Sequence, residues 1–211
     1  MASKTTAEVI QRATETLATA KLGLRDVVGG GAGRRLAGLR NLVVFGRSVT
    51  NVLQNLRSLE PTFEEWYQPY VEKMKVDPLL KYFYALRSEI LKEGTLRTGT
   101  SMHIHHFEFP LDMQRIGPPP PGAGSFFIGD QAGGSGWEIT GEDGQVEKFY
   151  VDIPGDIATF EVHLPEAPRE HLGKAVSDTR IETLATLYFD YLAALVEDAR
   201  RTFGARAQTG A

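Results

Sequence analysis

The chain lacks cysteine, any long apolar run and the short signatures of the commoner enzyme classes, and each absence excludes something. Without cysteine there is no disulfide, no thiolate nucleophile and no cysteine-bound zinc or iron–sulfur centre. A reducing compartment suits such a composition, so a cytoplasmic location is expected. No stretch approaches the roughly 18 apolar residues of a membrane-spanning helix, and no membrane partner is expected. Residues Met1 to Thr6 lead into an amphipathic stretch with Glu8 and Glu15, without the apolar core and cleavage pattern of a secretory signal. The glycine cluster from Gly29 to Gly33 is followed by no Lys-Ser or Lys-Thr, nor by a third glycine at dinucleotide-fold spacing, so it reads as a flexible connector. There is no Gly-x-Ser-x-Gly elbow and no His-Glu-x-x-His pair. These signatures leave the cofactor unknown.

What is present is an ordinary globular composition: 211 residues, 42% hydrophobic and 24% charged. That length suits one domain. The net charge of −4 argues against a general nucleic-acid binder but conceals an asymmetry. Between Lys21 and Arg57 the basic residues face Asp26 alone. From Glu138 to Glu170 the acids have only Lys148 and Arg169 against them. The basic stretch either meets an anionic partner or faces the acidic half of its own chain.

Periodicity supplies the fold class. Residues 5–23 carry a first helix, and Leu36, Leu39, Val43, Val49, Leu53 and Leu56 mark the apolar face of a second, from about Arg35 to Leu59. Thr62 with Glu65 reads as a capping box, and Pro69 is expected to kink or split the short aromatic helix it opens. Asp77-Pro78 starts a helix that Gly94 ends. The period then changes to that of strands: residues 97–109, Ser125 to Ile128, a hairpin from Trp137 to Ile153, and a strand with Phe160, Val162 and Leu164 on one face. Gly117 to Gly122 is a surface polyproline connector. A closing helix from about Thr179, capped by Thr179 and Glu182, runs to Phe203. The expectation is a single α+β domain over 1–211: a helical part over 5–95, an inserted antiparallel β-meander of about five strands over 97–165, and a closing helix over 177–204. Residues 205–211, small and polar, are expected to be disordered.

Two groups of residues could carry chemistry. On the second helix Arg47 and Asn51, four apart, share a face with Arg40 and Gln54, a polar stripe placed to meet Arg87 in a bundle. Arg87 and Lys92 lie about 140° apart around their own helix. The segment Leu86-Arg87-Ser88-Glu89-Ile90-Leu91-Lys92 resembles the signature of HEPN-type helical bundles: an arginine, a polar residue, three variable residues and a histidine. Across about residues 35–94 this resemblance implies an up-and-down bundle, often a dimer, in a family that includes RNases of toxin–antitoxin and phage-defence systems. Lys92 stands where the family has its histidine, the expected participant in metal-independent RNA cleavage. The resemblance therefore implies a non-catalytic or weakly catalytic binding protein of stress or defence, with Arg47, Asn51, Arg87 and Lys92 contacting RNA or another anionic ligand.

The second group is Met102-His103-Ile104-His105-His106-Phe107-Glu108. On a strand His103 and His105 point to one face, where two imidazoles can chelate one metal ion, and His163 on a later strand would supply a third ligand. This pattern partly resembles the first cupin motif, a His-x-His followed by a glutamate, with Glu108 one residue early, and Pro154-Gly155 before His163 is similar to the second. A metal-dependent enzyme is thus the alternative, and a structural or assembly protein a third. The aromatic group Trp66, Tyr67, Tyr70, Phe83 and Tyr84 reads as core packing.

Overall fold

The computed structural model describes residues 4–204. α1 (Thr6–Gly29) opens with a capping box: the Thr5 hydroxyl accepts from the Glu8 N–H and the Glu8 carboxylate from the Thr5 N–H. α2 (Gly31–Leu53) begins after the single residue Gly30. The glycine cluster is therefore a tight joint, not a flexible connector, and Gly31 supplies its left-handed backbone at φ +65°. Two further glycines let the paired helices touch. A Cβ on Gly23 would stand 2.6 Å from the Gly38 carbonyl oxygen, and one on Gly38 2.7 Å from that of Gly23.

A 3₁₀ turn (Gln54–Ser58) follows α2, then α3 (Phe63–Val76) and α4 (Pro78–Glu93). The capping box expected at Thr62 and Glu65 does not form. Pro69 does not split α3, because it lies on the solvent side of the helix, where the carbonyl it leaves unbonded can reach water. The start of α4 is as expected: Asp77 accepts from the Leu80 N–H at 2.9 Å, Pro78 takes the first position, and Gly94 closes the helix at φ 67°.

β1 (Gly99–Ile104) pairs antiparallel with β5 (Ala158–His163). Between them in the chain come α5 (Leu111–Ile116) and the strands β2 (Ala123–Phe127), β3 (Ser135–Thr140) and β4 (Val146–Val151), which form a separate meander in the order β2-β3-β4. The small hairpin of β6 (Glu170–His171) and β7 (Lys174–Ala175) leads to α6 (Ile181–Ala199), which ends in a π-helical turn (Arg200–Gly204). The molecule is α+β, with N-terminal helices, antiparallel strands and a C-terminal helix. The five expected strands are present, but not as one meander: the first pairs with the last, and the middle three form their own sheet. The cap expected at Thr179 and Glu182 is also replaced. Arg180 takes the N-cap position, and Asp178 accepts from the Arg180 N–H at 3.0 Å and the Thr183 hydroxyl at 2.5 Å. Residues 205–211, expected to be disordered, lie outside the described residues.

Two apolar clusters make the core, and α6 crosses both. Leu184, Tyr188 and Leu192 pack with Leu39, Leu42, Val43, Leu79 and Phe83. Leu195, Ala199 and Phe203 pack with Val9, Val49, Leu53, Leu56 and Phe63. Val162 of β5, with Leu164 and Val176, joins the first cluster, so the helices and the β1–β5 pair share a core. The β2-β3-β4 meander gives neither cluster a residue. Among the described residues no helix is long and apolar enough to cross a membrane.

Candidate functional site

A cleft of about 670 Å³ lies between α2, α3, α4 and α6, within the size range of small-molecule sites. Helical spacing builds each wall. The 3.6-residue period puts Arg47, Thr50 and Gln54 on one face at the end of α2, with Arg57 on the turn beyond. α3 presents Tyr67, Val71, Met74 and Lys75, and α4 presents Leu80, Lys81, Tyr84 and Ala85. α6 supplies Tyr188, Tyr191 and Leu192.

Packing below the cleft fixes these walls. Tyr188 stacks on Phe83 of α4 with centroids 4.3 Å apart and rings parallel. It comes close to α2 because Gly46 faces it: a Cβ there would stand 2.7 Å from the ring. Asp77 pins the start of α4, accepting from the Leu80 N–H, the Leu172 N–H at 2.6 Å and, on the same side, His171 Nδ1 at 3.1 Å. Burial alone would push the Asp77 carboxyl up, but the bonds from Leu172, Leu80 and His171 together outweigh it and hold the group below its ordinary value.

The electrostatics of the cleft have one sign. Arg47, Arg57, Lys75 and Lys81 line it, and among the described residues no carboxylate does. Arg57 pairs with Glu64 outside the cleft, and Lys75 with Glu72 at 3.3 Å. Arg47 donates to the Thr50 hydroxyl and lies over the Tyr84 ring, 5.5 Å from its centroid. Lys81 is exposed and pairs with no carboxylate among the described residues. Desolvation raises Tyr67, Tyr188 and Tyr191 above the usual phenol value, against the opposing pull of Arg47 on Tyr67 and of Arg47 and Arg87 on Tyr188. All three stay neutral donors at physiological pH. Among the described residues the buried Tyr191 hydroxyl has no hydrogen-bond partner, and neither has Arg87 Nε.

The expected stripe is brought together in part. Arg47 and Gln54 line the cleft; Arg87 does not, although its charge, like that of Arg47, pulls the Tyr188 phenol down. Asn51 does not line it: rotated about 40° from Arg47 around α2, it is exposed on the flank. Arg40 turns away to donate to the Gly94 carbonyl at 3.1 Å. Lys92 shares the side of α4 that bears Lys81 but stands about 16 Å further along, exposed beyond the cleft. Tyr84, expected in the core, is 57% exposed at the rim. Lys75, Lys81, Tyr188 and Tyr191 were not foreseen; the available signal was the repeated pairing of tyrosine with lysine or arginine on helix faces.

The histidines divide. His103, on β1, and His105, the first residue beyond it, stand side by side with ring centroids 4.7 Å apart, so the strand expected over residues 97–109 is shorter than its alternation suggests. His163 lies opposite Gly99, so four residues of strand, about 13 Å, separate it from His103. It contacts Ser101 Oγ at 3.2 Å instead. Among the described residues no group of three or more His, Cys, Asp or Glu side chains is placed to hold a metal ion. A second hollow, of about 520 Å³, lies beside Asp130 and Lys148. Its polar groups already satisfy one another, since Asp130 accepts from Lys148, the Tyr150 hydroxyl and the N–H groups of Ala132 and Gly134.

Residues 38–109 match the family model described as Bacteriophage lambda protein ea47. The match runs from within α2 to just beyond β1, about a third of the chain. It takes in the α2, α3 and α4 walls of the cleft and the paired histidines, but not α6. No curated protein and no solved structure matches the chain.

Proposed function

We propose that the protein works by binding rather than by catalysis, and that the cleft takes an anionic, aromatic ligand with the chemistry of a nucleotide, free or as part of a single-stranded RNA. The observation that carries this reading is a cleft lined, among the described residues, by four cations and no carboxylate, and floored by apolar side chains and tyrosines. Lys81 and Arg47 are free of carboxylate partners and suit phosphate. Exposed Tyr84 suits base stacking, which is tolerant of sequence. The HEPN-type resemblance of residues 35–94 points to RNA as well, and loss of the family histidine at Lys92 favours binding over cleavage. The phage protein in the matching family's description suits the stress or defence setting that the resemblance implies. The alternative, a metal enzyme on His103, His105 and His163, has no such convergence of side chains in its support.

The test is titration at low salt with a nucleoside monophosphate in one arm and an oligouridylate RNA in the other, read by tyrosine fluorescence and calorimetry. Binding that weakens with salt is expected in at least one arm. Lys81→Ala and Arg47→Ala should each weaken it about tenfold or more, the size of a charge-assisted contact. Lys92→Ala, outside the cleft, should leave it within about twofold, as rim charges do. No binding of either probe at low salt would sink the reading.

A further inference from the structure

The paired histidines at the end of β1, His103 within it and His105 just beyond, offer a second site, independent of the cleft. His103 and His105 share one face of the strand. His105 Nε2 lies 3.2 Å from Thr159 Oγ1, which leaves its Nδ1 available. Two imidazoles two residues apart supply half of the four donors that zinc takes in a closed tetrahedral site. No third ligand of the described chain is near enough to add to them. The remaining donors must come from another molecule.

The backbone of β1 indicates which. Among the described residues its one strand partner is β5. The His105 N–H donates to the Ile157 carbonyl at 2.8 Å, so His105 and, by antiparallel alternation, His103 turn their backbone groups toward β5. Those of Met102 and Ile104 therefore face the open edge. Their side chains are also uncovered, at 37% and 52% exposure. A two-stranded sheet with a bare apolar edge is a template for another strand. If the same segment of a second copy docks antiparallel with Ile104 on the two-fold axis, it bonds the outward groups of Ile104 to one another, while the His106 N–H, turned back to the Ile157 carbonyl at 3.4 Å, ends the new ladder there. His103 then sits opposite the partner's His105 as a non-hydrogen-bonded pair, about 4.5 Å apart at Cα, where side chains approach most closely. Four imidazoles meet on one face, and the exposed Met102 and Ile104 of both copies gather on the other.

We propose that His103 and His105 form half of a divalent-metal site completed by the same pair in a second copy of this chain, joined through the open edge of β1. The ion is one that accepts four imidazole nitrogens in a tetrahedron, with zinc the model case. The site is structural, since a closed set of four leaves no position for a substrate.

The experiment uses untagged full-length protein, first stripped with a chelator, then titrated with zinc while molar mass is read by light scattering and metal content by elemental analysis. A monomer without metal, and a dimer holding one zinc per two chains with it, is expected. Cobalt in place of zinc should give the intense visible absorption of a tetrahedral site. His103→Ala and His105→Ala should each abolish the zinc-dependent dimer; both residues are exposed, and an unchanged circular dichroism spectrum verifies the fold. Ile104→Lys, which keeps both histidines but charges the edge, should abolish it too. Zinc bound one per chain to a monomer, no association with zinc, or association undiminished in the histidine variants would each overturn the proposal.

Discussion

Phe83 and Phe149 are the same residue in two parts of the molecule with opposite fates. Phe83 on α4 is fully buried and stacked on Tyr188. Phe149 on β4 is 49% exposed and opposes Trp137 across the sheet. The helices are held by burial of apolar side chains in the two clusters that α6 crosses. The β2-β3-β4 sheet is held by its ladder and by polar ties, chief among them Asp130 with Tyr150, Lys148 and two backbone N–H groups. Stability therefore resides in the helices and the β1–β5 pair docked on them, while the meander adds no side chain to either apolar cluster.

The sharpest way to break this contrast is substitution in the core. Phe83→Ala should cost about 3–5 kcal/mol in urea unfolding, the range for emptying a buried aromatic site. A loss below about 1 kcal/mol would mean the helical core is not what holds the fold. Next is Gly23→Ala, which forces a methyl to within 2.6 Å of the Gly38 carbonyl oxygen and the Leu42 nitrogen. Separating α1 from α2 to make room should cost about 1–3 kcal/mol.

Asp77→Ala should cost about 2 kcal/mol, from the lost cap and the backbone donors left unsatisfied. The same group makes the helical region acid-sensitive. Because its folded pKa is lowered, its contribution is complete above the unfolded carboxylate value near 4 and is lost as pH falls through the folded value. Urea midpoints should therefore drop on acidification below about pH 4, and Asp77→Asn should flatten that drop. Smallest of all should be Phe149→Ala, within about 0.5 kcal/mol of the parent. A cost as large as that of Phe83→Ala would erase the distinction between the two regions.

The sequence is most legible where a signal is local. Asp77-Pro78 and Gly94 bound α4 as expected, because capping chemistry acts within one turn. The joint at Gly30 was misread because a glycine cluster announces a break in the helix without stating its length. The strands were recognisable from alternation, but their partners were not. Alternation describes one strand, and β1 skips three neighbours to pair with β5. That same long-range register separates His163 from His103, although both lie on strands as expected. In the cleft a helical wheel could group Arg47 with Gln54, but it could not show that Lys81 and Tyr188 on other helices close the same space. The small residues Gly23, Gly38 and Gly46, which let helices touch, carried no visible signal because their role needs two elements at once.

The position of α6 sets the order in which the chain can become a protein. Its side chains complete both apolar clusters and one wall of the cleft, yet it is made after every strand. On the ribosome α1 and α2 can pair as they emerge, but the faces of α1 to α4 that α6 covers stay bare until the residues from Ile181 onward have followed. Through most of its synthesis the nascent chain is thus a natural client for chaperones, and a premature stop anywhere in the strand region leaves a product that cannot close.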